Sequence, residues 1–339
     1  MLEEPTTLTS LGISLQQALR ADGIDGNAIF LESGIDPALL KEAEARAPLT
    51  QVQEVWRRTV AATGDPAYGL VAAGHHRPSL SHALGQSIQA SASIADAINR
   101  MQRYNKIVST ASQLRLVHDR DFADVVLAFT HAQIRPRPQG VDFMLAAMHT
   151  AFRTIAGDVF VPLRVTVTHP DFGVAERYRA YFGCDVRFDS EVDSMRISNV
   201  TLELPNAYGN PELALQIDRI SDRYLERLET PGVSYRVQTI IQQALPSGEL
   251  TQGEVARRMN RSVSSLRRDL DKEGMTYKAL LDRTRATLAR AYIREGRHSL
   301  TQVAYLLGFS DQANFTRAFR RWTQMAPSEF SRQAAQMES

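Results

Sequence analysis

One pattern occurs twice in the final third of this chain, and it constrains the fold more than any other feature. Residues 254–270 and 302–319 each run as a short amphipathic segment, a turn residue, a capping residue and a second amphipathic segment. Ala256 corresponds to Ala304, Met259 to Leu307, Asn260 to Gly308 and Ser262 to Ser310. The second copy carries one extra residue before its apolar anchor, Phe315 against Leu266. Two helices that cross at close range need a small side chain at the contact, which Ala256 and Ala304 supply. The tight turn needs a residue that tolerates positive φ, a role suited to Asn and Gly. Ser262, and Ser310 or Asp311, can then cap a second helix. The spacing predicts two helix-turn-helix units, at 252–273 and 300–321.

Each second helix turns an apolar pair inward, Leu266 and Leu270 or Phe315 and Phe319. Facing outward are Ser264, Arg267, Arg268 and Lys272 in the first unit, with Gln312, Asn314, Thr316, Arg317 and Arg320 in the second. Such side chains read base edges and phosphates. The net charge of +1 hides an asymmetry: residues 233–333 hold 17 Lys/Arg against 9 Asp/Glu, while residues 1–232 hold 22 against 28. One such unit by itself fits an ordinary helical bundle better, since the Ala-turn-cap pattern is weak. Two of them, spaced alike in a basic segment, favour a reader of nucleic acid. Between them, Tyr277, Leu280, Leu281, Thr284, Leu288, Ala291 and Tyr292 mark a helix over 277–295, with Gly296 as its stop. At 1.5 Å per residue this rod spans roughly 28 Å, close to the ~34 Å between adjacent major-groove windows on one face of DNA.

These residues carry a family resemblance. Val303-Ala304, Gly308-Phe309-Ser310-Asp311, Phe315 through Trp322 and Ala326-Pro327-Ser328-Glu329-Phe330 resemble the signature of the AraC/XylS transcription regulators. Met325, where that family usually has Gly, is the one departure. By position, the resemblance implies base contacts from Ser264, Arg267, Arg268, Gln312, Asn314 and Arg317, and phosphate contacts from Lys272, Arg320 and Arg321. For Arg317 a structural salt bridge is the alternative. Residues 12–205 resemble the effector domain of the ornithine-utilisation and mycobacterial virulence-regulator branch. The stretches concerned are Gly34-Ile35-Asp36-Pro37, Thr63 through Leu70 and Tyr178 through Phe188. The resemblance implies double-stranded DNA, a small-molecule effector, a homodimer and RNA polymerase as partners.

The N-terminal part reads as mixed α and β from its own residues. Asp36-Pro37 predicts a helix start. Ser93 and Asp96 form a capping-box-like start to a helix whose inner face is Ile94, Ala97, Ile98, Met101, Tyr104 and Val108. Leu114–His118 and Val125–Phe129 alternate around Asp119-Arg120-Asp121, as a β-hairpin does. A helix is expected over 143–155, and strands over 163–168, 187–188 and 195–197. The break at 206–211, the polar helix 212–228 and the stop at 229–232 divide the chain into a regulatory domain (1–209), a helical linker (210–232) and a DNA-binding domain (233–335). The fold class expected is an α+β N-terminal domain joined to an all-α C-terminal domain.

No catalytic or metal motif emerges. His75 and His76 are adjacent, so their rings diverge, and they read as surface histidines. Cys184 is the lone cysteine and reads as a small buried hydrophobe, and Arg135-Pro136-Arg137-Pro138 reads as a loop facing solvent. No cofactor is expected. The acidic start, the single cysteine and the lack of any apolar run of ~18 residues suggest a cytoplasmic protein with no membrane partner. An enzyme or an adaptor carrying a DNA-tethering tail is the alternative.

Overall fold

The computed structural model describes residues 4–130, 135–229, 232–245, 250–295 and 298–338. They form two compact units, Met1–Glu226 and Arg227–Ser339. Thr230, Pro231 and Gly296, and the side chain of Ala291, lie outside the described residues. Among those described, no helix is long and apolar enough to cross a membrane.

The first unit opens with a helical half. Strands β1 (Thr6–Leu8) and β2 (Arg46–Pro48) pair antiparallel around α1 (Gly12–Ala21) and α2 (Gly26–Glu32). Then come α3 (Leu49–Thr63), α4 (Tyr68–Gly74), α5 (His82–Gln89) and α6 (Ile94–Val108). The Ser93 hydroxyl accepts from the Asp96 amide at 3.2 Å, and Asp96 accepts from the Ala92 amide at 2.8 Å. Of the face expected for α6, Ile94, Ala97, Ile98, Met101 and Tyr104 are buried and Val108, its last residue, is half-buried. Asp36 caps as expected, but the turn behind it, Pro37–Lys41, is a 3-10 helix that ends in extended backbone at Glu42. Its five residues make fewer than two turns, the short run in which this tighter helix is used.

The second half is a five-stranded sheet with α7 (Pro138–Ala156) as its long helix. β3 (Ser112–His118) and β4 (Phe122–Phe129) form the expected hairpin, with Leu114 opposite Leu127 and Leu116 opposite Val125. β5 (Arg164–Thr166), α8 (Ala175–Phe182), β6 (Asp185–Arg187) and β7 (Asp193–Ser198) follow, in sheet order β3-β4-β7-β5-β6. β4 turns Ala123, Val125 and Leu127 into the core. α4 and α7 touch at Gly69, where an added Cβ would lie 2.2 Å from the Gln139 carbonyl oxygen, so only glycine permits the approach.

After the short α9 (Asn199–Leu202), α10 (Pro211–Glu229) occupies the segment expected to link the domains. Up to Glu226 it belongs to the N-terminal unit. The guanidinium of Arg100, only 8% exposed, reaches Asp218 at 3.2 Å, and the Tyr104 hydroxyl donates to Asp222 at 3.1 Å. These partners are more than a hundred residues apart, beyond the reach of any local pattern.

His149 on α7 is 4% exposed and packs among the rings of Phe160, Tyr181 and Phe182. Burial pushes it down to about 4. Below its ordinary value of about 6.5 the unfolded chain takes up a proton that the folded one refuses, so stability falls with pH until about 4. In denaturant unfolding, His149 alone should make the N-terminal unit about 2 kcal/mol less stable at pH 5 than at pH 7. His149→Phe should shrink the difference; an unchanged pH dependence would contradict it.

The second unit is all helix: α11 (Val233–Ala244), α12 (Gln252–Arg258), α13 (Val263–Lys272), α14 (Tyr277–Glu295), α15 (Leu300–Leu306), α16 (Gln312–Thr323) and α17 (Pro327–Glu338). It has two apolar cores. Val237, Ile241, Val255, Leu266, Leu270 and Leu280 make the first; Ala289, Ile293, Val303, Leu307, Phe315 and Phe319 make the second. α14 contributes to both, and Leu288 packs against each.

Candidate functional site

The repeated pattern folds as two helix-turn-helix units, α12–α13 and α15–α16, one on each core. Ala256 and Ala304 are buried at the crossings. Asn260 (φ 53°) and Gly308 (φ 69°) are both left-handed, as the turn demands. The Ser262 hydroxyl accepts from the Ser265 amide at 3.1 Å and so caps α13. In the second unit the cap is Asp311, whose carboxylate accepts from the Asn314 amide at 2.7 Å. The extra residue of the second copy is therefore absorbed between turn and cap. Each cap contributes about 1 kcal/mol.

Both outward faces are open. Ser264, Arg267, Arg268 and Lys272 are exposed on α13, and Gln312, Arg317, Arg320 and Arg321 on α16. Asn314 is half-buried, and its amide nitrogen donates to Asp311 at 2.6 Å and to Ser310 at 3.2 Å. Its carbonyl accepts from Arg317 at 2.5 Å. Arg317 is thus held by Asn314 rather than by a carboxylate. Lys272 lies 3.3 Å from Asp269, and Arg321 lies 3.2 Å from Asp282 of α14. Both ion pairs are solvent-exposed on the cationic side and weak enough to exchange for phosphate. Gln312 accepts from the Thr301 hydroxyl at 2.8 Å.

Arg285, which the outward-face argument did not single out, ties the second unit to the rod. From α14 it donates to the carbonyls of Leu307 at 2.9 Å and Gly308 at 3.1 Å, and its guanidinium lies 4.5 Å from the Phe309 ring centre. Those carbonyls sit at the C-terminal end of α15, where a cation is favoured. In the first unit Glu273, after α13, accepts from the Val233 and Ser234 amides at 2.7 and 2.9 Å and so anchors the start of α11. The departure expected at Met325 falls one residue earlier. Gln324 carries the left-handed backbone (φ 61°) that closes α16, a position where glycine avoids the steric cost of roughly 1 kcal/mol.

The N-terminal unit contains a cavity of about 350 Å³ bounded by α5, α6, α7 and the inner face of the β3–β4 hairpin. A second, of about 110 Å³, lies across a wall shared by Leu11, Phe143 and Met144. His76 is a wall of the larger cavity, not a surface histidine. Its ring nitrogens meet the hydroxyls of Ser14 at 3.3 Å and Ser81 at 3.2 Å, and burial pushes it down to about 4. Arg137 also departs from expectation. Pro138 starts α7, which turns the preceding Arg137 inward to line the smaller cavity, and its Nε is buried without a partner. Arg135 is exposed, as expected of that segment. Half-buried Cys184 has its thiol pushed up to about 11 by burial.

A cluster with chemical potential lies elsewhere. Asp142 on α7, 1% exposed, meets His169 Nε2 at 3.0 Å and accepts from the Tyr178 hydroxyl at 2.7 Å. His169 Nδ1 is 2.9 Å from the Pro170 carbonyl oxygen and therefore carries a proton. Burial raises Asp142 above the usual carboxylate range; burial is also the largest influence on His169 and lowers it, but the bond to and charge of Asp142, the Pro170 carbonyl and the charge of Asp193 together outweigh it and leave His169 raised. None of the three lines either cavity. They tie α7 and α8 to the loop after β5.

Comparison with known proteins agrees with this geometry. Residues 23–206 match the family described as the arabinose-binding domain of AraC transcription regulator, N-terminal, and residues 255–333 match a helix-turn-helix domain. The chain is 28% identical over 309 residues to the ornithine utilization regulator of Pseudomonas aeruginosa, covering 91% of each. It is 28% identical over 195 residues to the transcriptional regulator VirS of Mycobacterium tuberculosis, covering 57% of this chain and 56% of that one. Among solved structures it is similar to the transcriptional regulator CdpR of Pseudomonas aeruginosa, with 21% identity, a TM-score of 0.48, and coverage of 94% and 97% of the two chains.

Proposed function

Because the chain belongs to the AraC-family transcription regulators, with an N-terminal ligand-binding domain and a C-terminal helix-turn-helix DNA-binding domain, we propose that α13 and α16 read two consecutive major grooves of one site and that a small molecule in the N-terminal cavity controls the outcome. The observation that carries this is the pair of exposed cationic helix faces placed on separate cores of one 19-residue helix. Ser264, Arg267 and Arg268, with Gln312, Asn314 and Arg317, read bases in this proposal, while Lys272, Arg320 and Arg321 hold phosphates. The active species is a homodimer on two such sites, working in the cytoplasm beside RNA polymerase. Ornithine, named for the relative, is a poor fit here, because among the described residues neither cavity is lined by an acidic residue that could pair with its ammonium groups.

The N-terminal unit senses and does not catalyse, in this reading. Its acid–base cluster of Asp142, His169 and Tyr178 is buried away from both cavities, and a catalytic group must reach its substrate.

Selection from a random pool of duplex DNA tests the proposal. The full chain should enrich a motif with two conserved blocks about 10 base pairs apart. Its affinity should fall steeply with salt as phosphate contacts release counterions. Failure to enrich any sequence would overturn it.

A further inference from the structure

We infer that the effector is a mostly apolar acid of about 14 heavy atoms and not a cation or a sugar, scaling from the benzene that a 150 Å³ apolar cavity accepts. This rests on the reading of the N-terminal cavity as the effector site, and it comes from what the walls can and cannot offer. The 350 Å³ cavity is lined largely by apolar side chains, among them Leu84, Ile88, Met101, Phe143 and Met148. Methionine walls adapt to the shape of an apolar guest.

Charge decides the rest. Among the described residues, no Asp or Glu lines either cavity, and each is lined by one arginine, Arg77 in the larger and Arg137 in the smaller. A cationic guest would leave water without a counter-charge, which is strongly unfavourable. Arg137 has the complementary problem. Its buried Nε lacks a partner, and an acid group would supply one. Arg77 is exposed, and one of its amino groups donates to the His76 carbonyl oxygen at 3.0 Å, which leaves donors to spare.

The neutral polar groups are mostly spent on the protein. The His76 ring is held by Ser14 and Ser81. Asn105 donates to the carbonyls of Ser109 and Ser112. The Thr150 and Thr154 hydroxyls donate to carbonyls one turn back on α7. A sugar would bury several hydroxyls here with few partners, and each unmet one weakens binding by about tenfold. An apolar body with one acid group asks the walls for one cationic donor set and little else.

Thermal unfolding and calorimetric titration of the full chain, with 4-phenylbutyrate, 4-phenylbutylamine, L-lysine and D-xylose as probes, test this. The acid should bind and stabilise the chain, and the matched amine should bind about tenfold more weakly or worse. Lysine and xylose should leave unfolding unchanged. Ala147→Phe, which fills the larger cavity, should abolish binding of the acid. Arg77→Ala, on the wall of that cavity, should reduce it to the level of the amine; a loss in Arg137→Ala instead places the acid group across the shared wall, in the smaller cavity. Should the Ala147 variant not fold, the arginine variants decide. The inference is overturned by no binding of the acid, by equal binding of the amine, by binding of lysine or xylose, or by undiminished binding in both arginine variants. Sequence-specific DNA binding measured on the same sample separates the two readings. If it persists while the acid fails, only the ligand class falls.

Discussion

Changing Arg268 and Arg317 together to alanine should lower affinity for the selected DNA site by about 30-fold or more while leaving thermal unfolding unchanged, since each base contact is worth about 1–3 kcal/mol. Both side chains are exposed, and neither forms an ion pair among the described residues. Arg317 holds only Asn314, itself retained by the Asp311 cap. The single variants carry the finer information. Arg268→Ala should relax preference in one conserved block of the motif, and Arg317→Ala in the other. Arg320→Ala should instead weaken binding to all sequences alike and lower the salt slope by about one. Fluorescence anisotropy across a salt series, on matched and scrambled duplexes, separates these outcomes. An adaptor that used α13 and α16 to hold another protein would retain its DNA affinity in the double variant.

Asp142→Ala should destabilise the N-terminal unit by about 3–5 kcal/mol, the cost of leaving two buried partners unmet where one carboxyl served both. His169 would keep its proton on Nδ1 through the Pro170 carbonyl and face an empty site at Nε2, and the Tyr178 hydroxyl would lose its acceptor. Asp142→Asn should lose less, since an amide oxygen can still accept one of those bonds. Urea unfolding followed by a probe in each unit tests this: the transition of the Arg227–Ser339 unit should stay where it was. If both variants unfold like the parent, the cluster is not structural, and a catalytic role for the N-terminal unit returns to consideration.

The contrast between these variants also marks where the sequence was readable. Helix-turn-helix geometry is local: a small residue, a residue of positive φ and a cap within ten positions. Ala256, Asn260 and Ser262 therefore announced the first unit unaided, and Ala304 and Gly308 the second. Local reasoning could not choose between Ser310 and Asp311 as cap, because the choice depends on where the second helix packs its phenylalanines. The hairpin was legible because Leu114, Leu116, Val125 and Leu127 alternate. The β1–β2 pair was not, since three-residue strands carry no period and this pair is held by Arg46 reaching Thr6 at 2.8 Å.

The remaining gaps have the same origin. His76 looked like a surface residue because adjacent histidines say nothing about Ser14, 62 positions away, which holds one of its nitrogens. Arg285 was hidden inside an amphipathic stripe, and only the approach of α15 to α14 gives it carbonyls to bind. The buried Asp142–His169–Tyr178 cluster joins residues from one helix, one loop and another helix, with no spacing to flag it. The segment at 210–232 read as a linker because it is polar, yet Asp218 and Asp222 are the charges that seat α10 on α6.

A hydroxyl-radical footprint of the full chain on its selected duplex tests the two-groove claim most directly. One chain should protect two short backbone segments on the same face of the duplex, separated by about one helical turn of 10 base pairs, and Arg317→Ala together with Arg320→Ala should erase one of them only. A single protected segment, or two on opposite faces, would contradict the claim.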